Sequence, residues 1–172
     1  MPPNLSIYRV AGGRFTAPAQ ARAQHAILKQ CETKVDRKLL KPKFKAFRVG
    51  PLPADVINAA LGTELEPSDV WVSKAAHQHI ALDHPADYDA VKANIIEIIR
   101  SPTWAGQDPK HGRNFYLVRR VLREGGLEPL LISIGLEPSA HGTYNVRTGY
   151  SISEADILTR RLRGSLHALY LK

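Results

Sequence analysis

Cysteine is almost missing from this chain: Cys31 stands alone among 172 residues. A single thiol makes no internal disulfide and no cysteine-based metal cluster, so a reducing, cytoplasmic setting is the expectation. Long hydrophobic runs are missing as well. No stretch approaches the ~20 apolar residues that span a bilayer, and no membrane partner is expected. The opening MPPNLSIYRVAGGRF has no basic stretch leading into a long apolar core, so it does not read as a secretory signal. Internal repeats and low-complexity tracts are absent. Acidic residues are scarce at one end only. Residues 1–50 hold eleven Lys and Arg against Glu32 and Asp36, whereas residues 51–172 hold thirteen basic and fourteen acidic residues. The net charge of +8 thus belongs to an N-terminal segment, densest in KVDRKLLKPKFKAFR. Such a segment attracts polyphosphate; the same charges also suit a solvated helix face or a tail.

What is present suffices for one domain with an extension, because the 44% apolar share is enough for a core. Residues 1–45 read as a basic extension and 46–172 as the domain. In the extension, LSIYRV is strand-like and residues 17–40 weakly helical. Pro42, Pro51 and Pro53 punctuate the next stretch of chain. PADVINAALG reads as a short helix closed by Gly62, and VWVS as a short extended piece. Ser73 is placed to cap a helix running to about Leu82. Pro85 stops that helix, since the residue before a proline avoids the α region. A second helix runs from Pro85 to about Arg100, with Tyr88, Val91, Ile95 and Ile98 as its apolar stripe. TWAGQDPKHGRN reads as a polar loop.

The period then changes. NFYLVRRVL, LLISIGL and YNVRTGYSI alternate as strands, and their short connections favour an antiparallel meander. Ser153 and Asp156 match a capping box opening the helix EADILTRRLR, which Gly164 ends. SLHALYL offers a fourth strand. The expected fold class is α+β: N-terminal helices packed on a C-terminal antiparallel sheet of about four strands.

The stretch SKAAHQHIALDHP places His77, His79 and His84 within eight positions. Their spacing suits a metal poorly, because structural zinc wants four ligands and catalytic zinc three that converge. No metal and no cofactor are expected. Acid–base chemistry suits them better, since imidazole titrates near neutrality. Metal-free RNA cleavage needs a base for the 2′-hydroxyl, an acid for the departing 5′-oxygen, and cations for the phosphate charge. Arg119, Arg120 and Arg147 on strands supply cations. Alternation puts Arg119 with Phe115, Leu117 and Val121, and Arg120 on the opposite face. It also groups Tyr144, Val146, Thr148, Tyr150 and Ile152 on one side of their strand. On an unbroken helix His79 and His84 point about 140° apart, so they converge only if Pro85 frees the backbone at His84.

The ordered stretches VWVSKAAHQHIALDHP, IIEIIRSPTWAGQDPK, FYLVRR, LLISIGLEP, YNVRTGYSIS and RRLRGSL resemble the phage-associated nuclease domains of the barnase–EndoU–colicin–RelE (BECR) group. The resemblance covers Val70 to the C-terminus. It implies a helix-plus-antiparallel-sheet endoribonuclease working without metal, and carries catalytic roles onto His79, His84, Arg119 or Arg120, Thr148 and Tyr150. His79 or His84 would be base or acid, an arginine the phosphate clamp, and Thr148 and Tyr150 the groups that bind phosphate or orient the leaving group. The implied partners are RNA, tRNA among the candidates, and a cognate inhibitor protein. The implied setting adds the phage particle and a target cell to the cytoplasm. Two other readings stand beside it. One is a non-catalytic nucleic-acid-binding or phage structural module. The other is an ADP-ribosyltransferase-type toxin, suggested by IYRV, which needs a late glutamate on a strand where Glu154 instead opens a helix.

Overall fold

The computed structural model describes residues 44–107 and 112–170. The strand expected at LSIYRV, the helix expected over 17–40, and His111 lie outside them. The chain divides into two units between Pro42 and Lys43, and every described residue belongs to the second. Its elements are β1 (Phe47–Pro51), α1 (Ala54–Leu61), β2 (Asp69–Val72), α2 (Lys74–Asp83), α3 (Tyr88–Arg100), β3 (Trp104–Gln107), β4 (Asn114–Arg123), β5 (Gly126–Gly135), β6 (Tyr144–Ser151), α4 (Glu154–Leu162) and β7 (Leu166–Ala168).

Local chemistry accounts for most of the helix ends. Gly62 closes α1 in the left-handed region at φ 66°, where a residue without Cβ is unstrained. The Ser73 hydroxyl accepts from Ala76 N at 3.1 Å to open α2. Ser153 and Asp156 form the reciprocal capping box of α4. No helix among the described residues is long and apolar enough to cross a membrane.

The sheet corrects the expected architecture. It has seven strands in the order β1-β2-β6-β5-β4-β3-β7. Every neighbouring pair is antiparallel except β2 and β6, which run parallel. The α+β class holds, but of the four expected strands only β6, β5 and β4 form an antiparallel meander; the fourth, β7, lies at the far edge beyond β3, and one helix, α4, comes after the long strands. Of the additional strands, β2 falls on the short extended piece expected at VWVS, while β1 and β3 have five and four residues, too few to display a period. β3 lies in the stretch that reads as a loop.

Both faces are covered. Ile57, Val91, Ile95, Ile98, Phe115, Leu117, Ile132 and Ile134 are buried together where α1, α2 and α3 pack. Trp104, Tyr116, Val118, Leu131, Ile157 and Leu166 form a second cluster on the other face, beneath α4, as strand alternation requires. Each fully buried aliphatic side chain contributes roughly 1.5–3 kcal/mol.

β6 departs from simple alternation. Ile134 pairs with Val146 but Ser133 pairs with Thr148, so Arg147 is the extra residue of a bulge. A bulge resets which side the later residues face. Tyr144 and Val146 therefore join the helix-covered core, while Tyr150 packs on the α4 side. Gly149 faces the helices: a Cβ there would lie 2.9 Å from Val91 Cγ1 and 2.7 Å from Ile132 Cδ1. The single face expected for Tyr144, Val146, Thr148, Tyr150 and Ile152 is thus split at Arg147.

Candidate active site

The position of His84 is set by where α2 stops. The helix ends at Asp83, and His84 has φ −129° and ψ 54°, outside the α region that Pro85 disfavours. The turn beyond it is tied to the sheet through Asp87. Asp87 Oδ2 accepts from both the backbone N–H and the hydroxyl of Ser151, each at 2.9 Å. Asp87 Oδ1 accepts from Arg123 Nη1 at 3.0 Å. Burial works to raise the pKa of this carboxyl, but the Ser151 donors and the Arg123 guanidinium hold it below the ordinary value. The turn that presents His84 is therefore attached to the end of the strand that presents Tyr150.

β2 pairs with β6 only as far as Asn145, and α2 packs alongside β6. The His84 imidazole stacks on the Tyr150 ring, with centroids 4.9 Å apart and planes at 25°. His79 meets His84 edge-on at 6.1 Å and 84°. His79 Nδ1 is also paired with Asp83 Oδ2, one turn further along α2. An ionised carboxylate only accepts, so this contact puts the proton of neutral His79 on Nδ1 and leaves Nε2 as the accepting nitrogen. Both side chains are about half exposed. The helix break thus brings together two rings that a continuous helix would hold apart.

Beside these rings lies a row of hydroxyl-bearing residues. Tyr116 pairs with Ser133 across β4 and β5, and Ser133 with Thr148 across β5 and β6. Among the described residues, Thr148 Oγ1 is buried without a hydrogen-bond partner. The Tyr116 hydroxyl donates to Ser165 O at 2.7 Å. Arg160, from α4, sits over the Tyr116 ring at 5.0 Å. Burial works against its charge, while Tyr116, Tyr150 and Asp156 keep its pKa above the ordinary arginine value. Arg147 lies across Gly135, where a Cβ would come within 3.0 Å of its Nε.

The two arginines favoured by the sequence are occupied elsewhere. Arg119 leaves the helix-covered face, where its Nη2 meets Glu97 Oε1 at 2.7 Å and its Nη1 donates to Ser101 O at 2.6 Å. Alternation along β4 sends it away from Tyr150. Arg120 leaves the α4 face, but its fork grips both carboxylate oxygens of Glu154 at 2.6 and 2.7 Å and stacks 4.6 Å from Trp104. His79, His84, Thr148 and Tyr150 are brought to one neighbourhood; Arg119 is not, and Arg120 is held by its acidic partner.

Among the described residues, the other histidines serve packing or lie apart. His77 Nδ1 faces Lys45 O at 3.1 Å and Nε2 faces the Tyr88 hydroxyl at 2.6 Å, with Phe44 and Phe47 edge-on to its ring. His141 and His167 are exposed, in the β5–β6 turn and on β7. Asp83, Ser133 and Arg160 escape a reading of the sequence alone. The i,i+4 spacing from His79 to Asp83 is a usable signal. Nothing in the sequence marks Arg160, whose place depends on how α4 docks. Among the described residues, no three His, Cys, Asp or Glu side chains gather as metal ligands would. Compared with family models, curated proteins and solved structures, the chain matches none.

Proposed function

We propose that this protein is an endoribonuclease that cleaves RNA by histidine acid–base catalysis. The observation that carries the reading is the contact chain His79–His84–Tyr150 on the strand that also holds the unpartnered Thr148 hydroxyl. A pair of imidazoles supplies what in-line transesterification requires. His79, with Asp83 at Nδ1, has Nε2 free to take the proton of a 2′-hydroxyl. The 2′-oxygen attacks phosphorus, the P–O5′ bond breaks, and His84 protonates the departing 5′-oxygen. The products are a 2′,3′-cyclic phosphate and a 5′-hydroxyl. Tyr150 orients His84 by stacking, and Thr148 offers its hydroxyl to a phosphate oxygen. This reading agrees with the BECR resemblance and keeps RNA, tRNA included, and an inhibitor protein as the partners to look for. The transferase reading has no comparable support: IYRV lies outside the described residues, and Glu154 is engaged by Arg120.

The test is incubation of the protein with total RNA, with and without EDTA, beside His79→Ala and His84→Ala. Cleavage that persists in EDTA and falls about 10²- to 10⁴-fold in each variant is the expected result. RNA left intact under all conditions favours a non-catalytic binding module. Undiminished cleavage by both variants would move the chemistry to another part of the chain.

A further inference from the structure

We propose that the α4-covered face carries a phosphate-binding floor built from Arg147, Arg160, Ser133 and Thr148, which replaces the expected clamp of Arg119 or Arg120. The inference rests on the reading of this face as an RNA site and names the group that the site holds. Among the described residues, Arg48, Arg119, Arg120 and Arg123 are each bound to a carboxylate. Arg147 and Arg160 make no ion pair among the described residues. Asp156, one turn before Arg160, is the natural candidate to neutralise it. Its carboxylate is instead turned to Ser153, accepting from the hydroxyl at 2.7 Å and from the backbone N–H at 3.1 Å. Asp156 thus acts on Arg160 only through space, and the guanidinium lies on the Tyr116 ring with no carboxylate bound to it among the described residues.

Register fixes the spacing. Tyr116, under Arg160, is the cross-strand neighbour of Ser133. Gly135, under Arg147, comes after Ser133 on the same face of β5, about 7 Å along the strand. Ser133 and its partner Thr148 therefore lie between two cations. The floor is made of donors: two forked guanidiniums and two hydroxyls, one of them Thr148 Oγ1, which is buried and has no hydrogen-bond partner among the described residues. Oxygens that only accept and carry negative charge fit such a set, and a tetrahedral phosphate presents them in several directions to forked donors. Tyr150 links this floor to His84, so a phosphodiester lying on it comes next to the imidazoles.

The experiment titrates the full-length, isotope-labelled protein with inorganic phosphate and follows backbone amide shifts by NMR. Shifts centred on Ser133, Thr148 and Tyr150 are expected. R147Q and R160Q should each weaken phosphate binding about tenfold or more, while R161Q, an equal change of charge at the exposed neighbouring position, should leave it within about twofold. Equal weakening by R161Q, or shifts confined to other residues, overturns the floor. Arg160 also contacts Tyr116, so R147Q decides the matter if R160Q unfolds. The floor and the ribonuclease fail separately. Phosphate bound here by a protein that never cuts RNA keeps the floor and removes the ribonuclease. RNA cut normally by variants whose phosphate affinity is unchanged keeps the ribonuclease and removes the floor.

Discussion

Thr148 is the residue at which stability and function are expected to part. A buried hydroxyl without a partner costs the fold roughly 1–3 kcal/mol, and Thr148 Oγ1 is such a group. Thr148→Val keeps the branched shape and deletes the unsatisfied oxygen. Its thermal midpoint should equal or exceed that of the parent, while RNA cleavage falls on the order of tenfold to a hundredfold for one lost hydrogen bond to a charged group. Paired calorimetry and cleavage assays decide it; a variant that loses stability and activity together makes Thr148 a packing residue. The same scale shows why Arg119 and Arg120 make poor clamps. Residue type alone suggests cations on β4, but only the fold reveals that Glu97 and Glu154 already hold them.

The α2–α3 turn shows how an element is placed by one side chain. Asp87 precedes α3 without capping it; its carboxylate is spent on Ser151 and Arg123. Because its folded pKa is depressed, the stability it contributes is fully present above the ordinary carboxylate range near pH 4 and disappears as pH falls through the lower folded value. Asp87→Ala should therefore unfold more easily in urea at pH 7, by roughly 1.5–3 kcal/mol. The gap should close in strong acid. A gap of the same size at both pH values would mean that only packing was lost. Much of this region is legible in the sequence: the Ser73 cap, the stop at Pro85, the stripe on α3 and the capping box of α4 are local signals within a few residues. Such signals do not extend to partners. The parallel pairing of β2 with β6 joins residues more than seventy positions apart, and the bulge at Arg147 shows no mark in YNVRTGYSI. The site shares this division. His79, His84, Thr148 and Tyr150 can be named from motif order, whereas Arg160 and Ser133 enter only through docking and register.

At the scale of the whole molecule, charge and chemistry are separated along the chain. The basic excess lies in residues 1–50, and the rings lie beyond residue 73. If the N-terminal segment tracks an RNA backbone, affinity should fall steeply with salt. Replacing Lys29, Lys34, Lys38, Lys41 and Lys43 with Gln in the full chain should then flatten the plot of log affinity against log salt by about 0.7 per phosphate contact removed. An unchanged slope, measured by fluorescence anisotropy with a single-stranded RNA, would detach that segment from RNA. Thr148→Val provides the contrast, since it alters no charge and should leave the slope as it was.

Gly135 gives the molecule an unusual susceptibility. Arg147 rests where that residue has no side chain, and its long, exposed stem can swing aside more readily than a strand can shift. One added methyl would thus displace that guanidinium by a few tenths of an ångström without touching any imidazole, and leave the protein folded. Gly135→Ala should therefore melt like the parent while holding inorganic phosphate less well, a combination that pairs an intact scaffold with a misplaced cation.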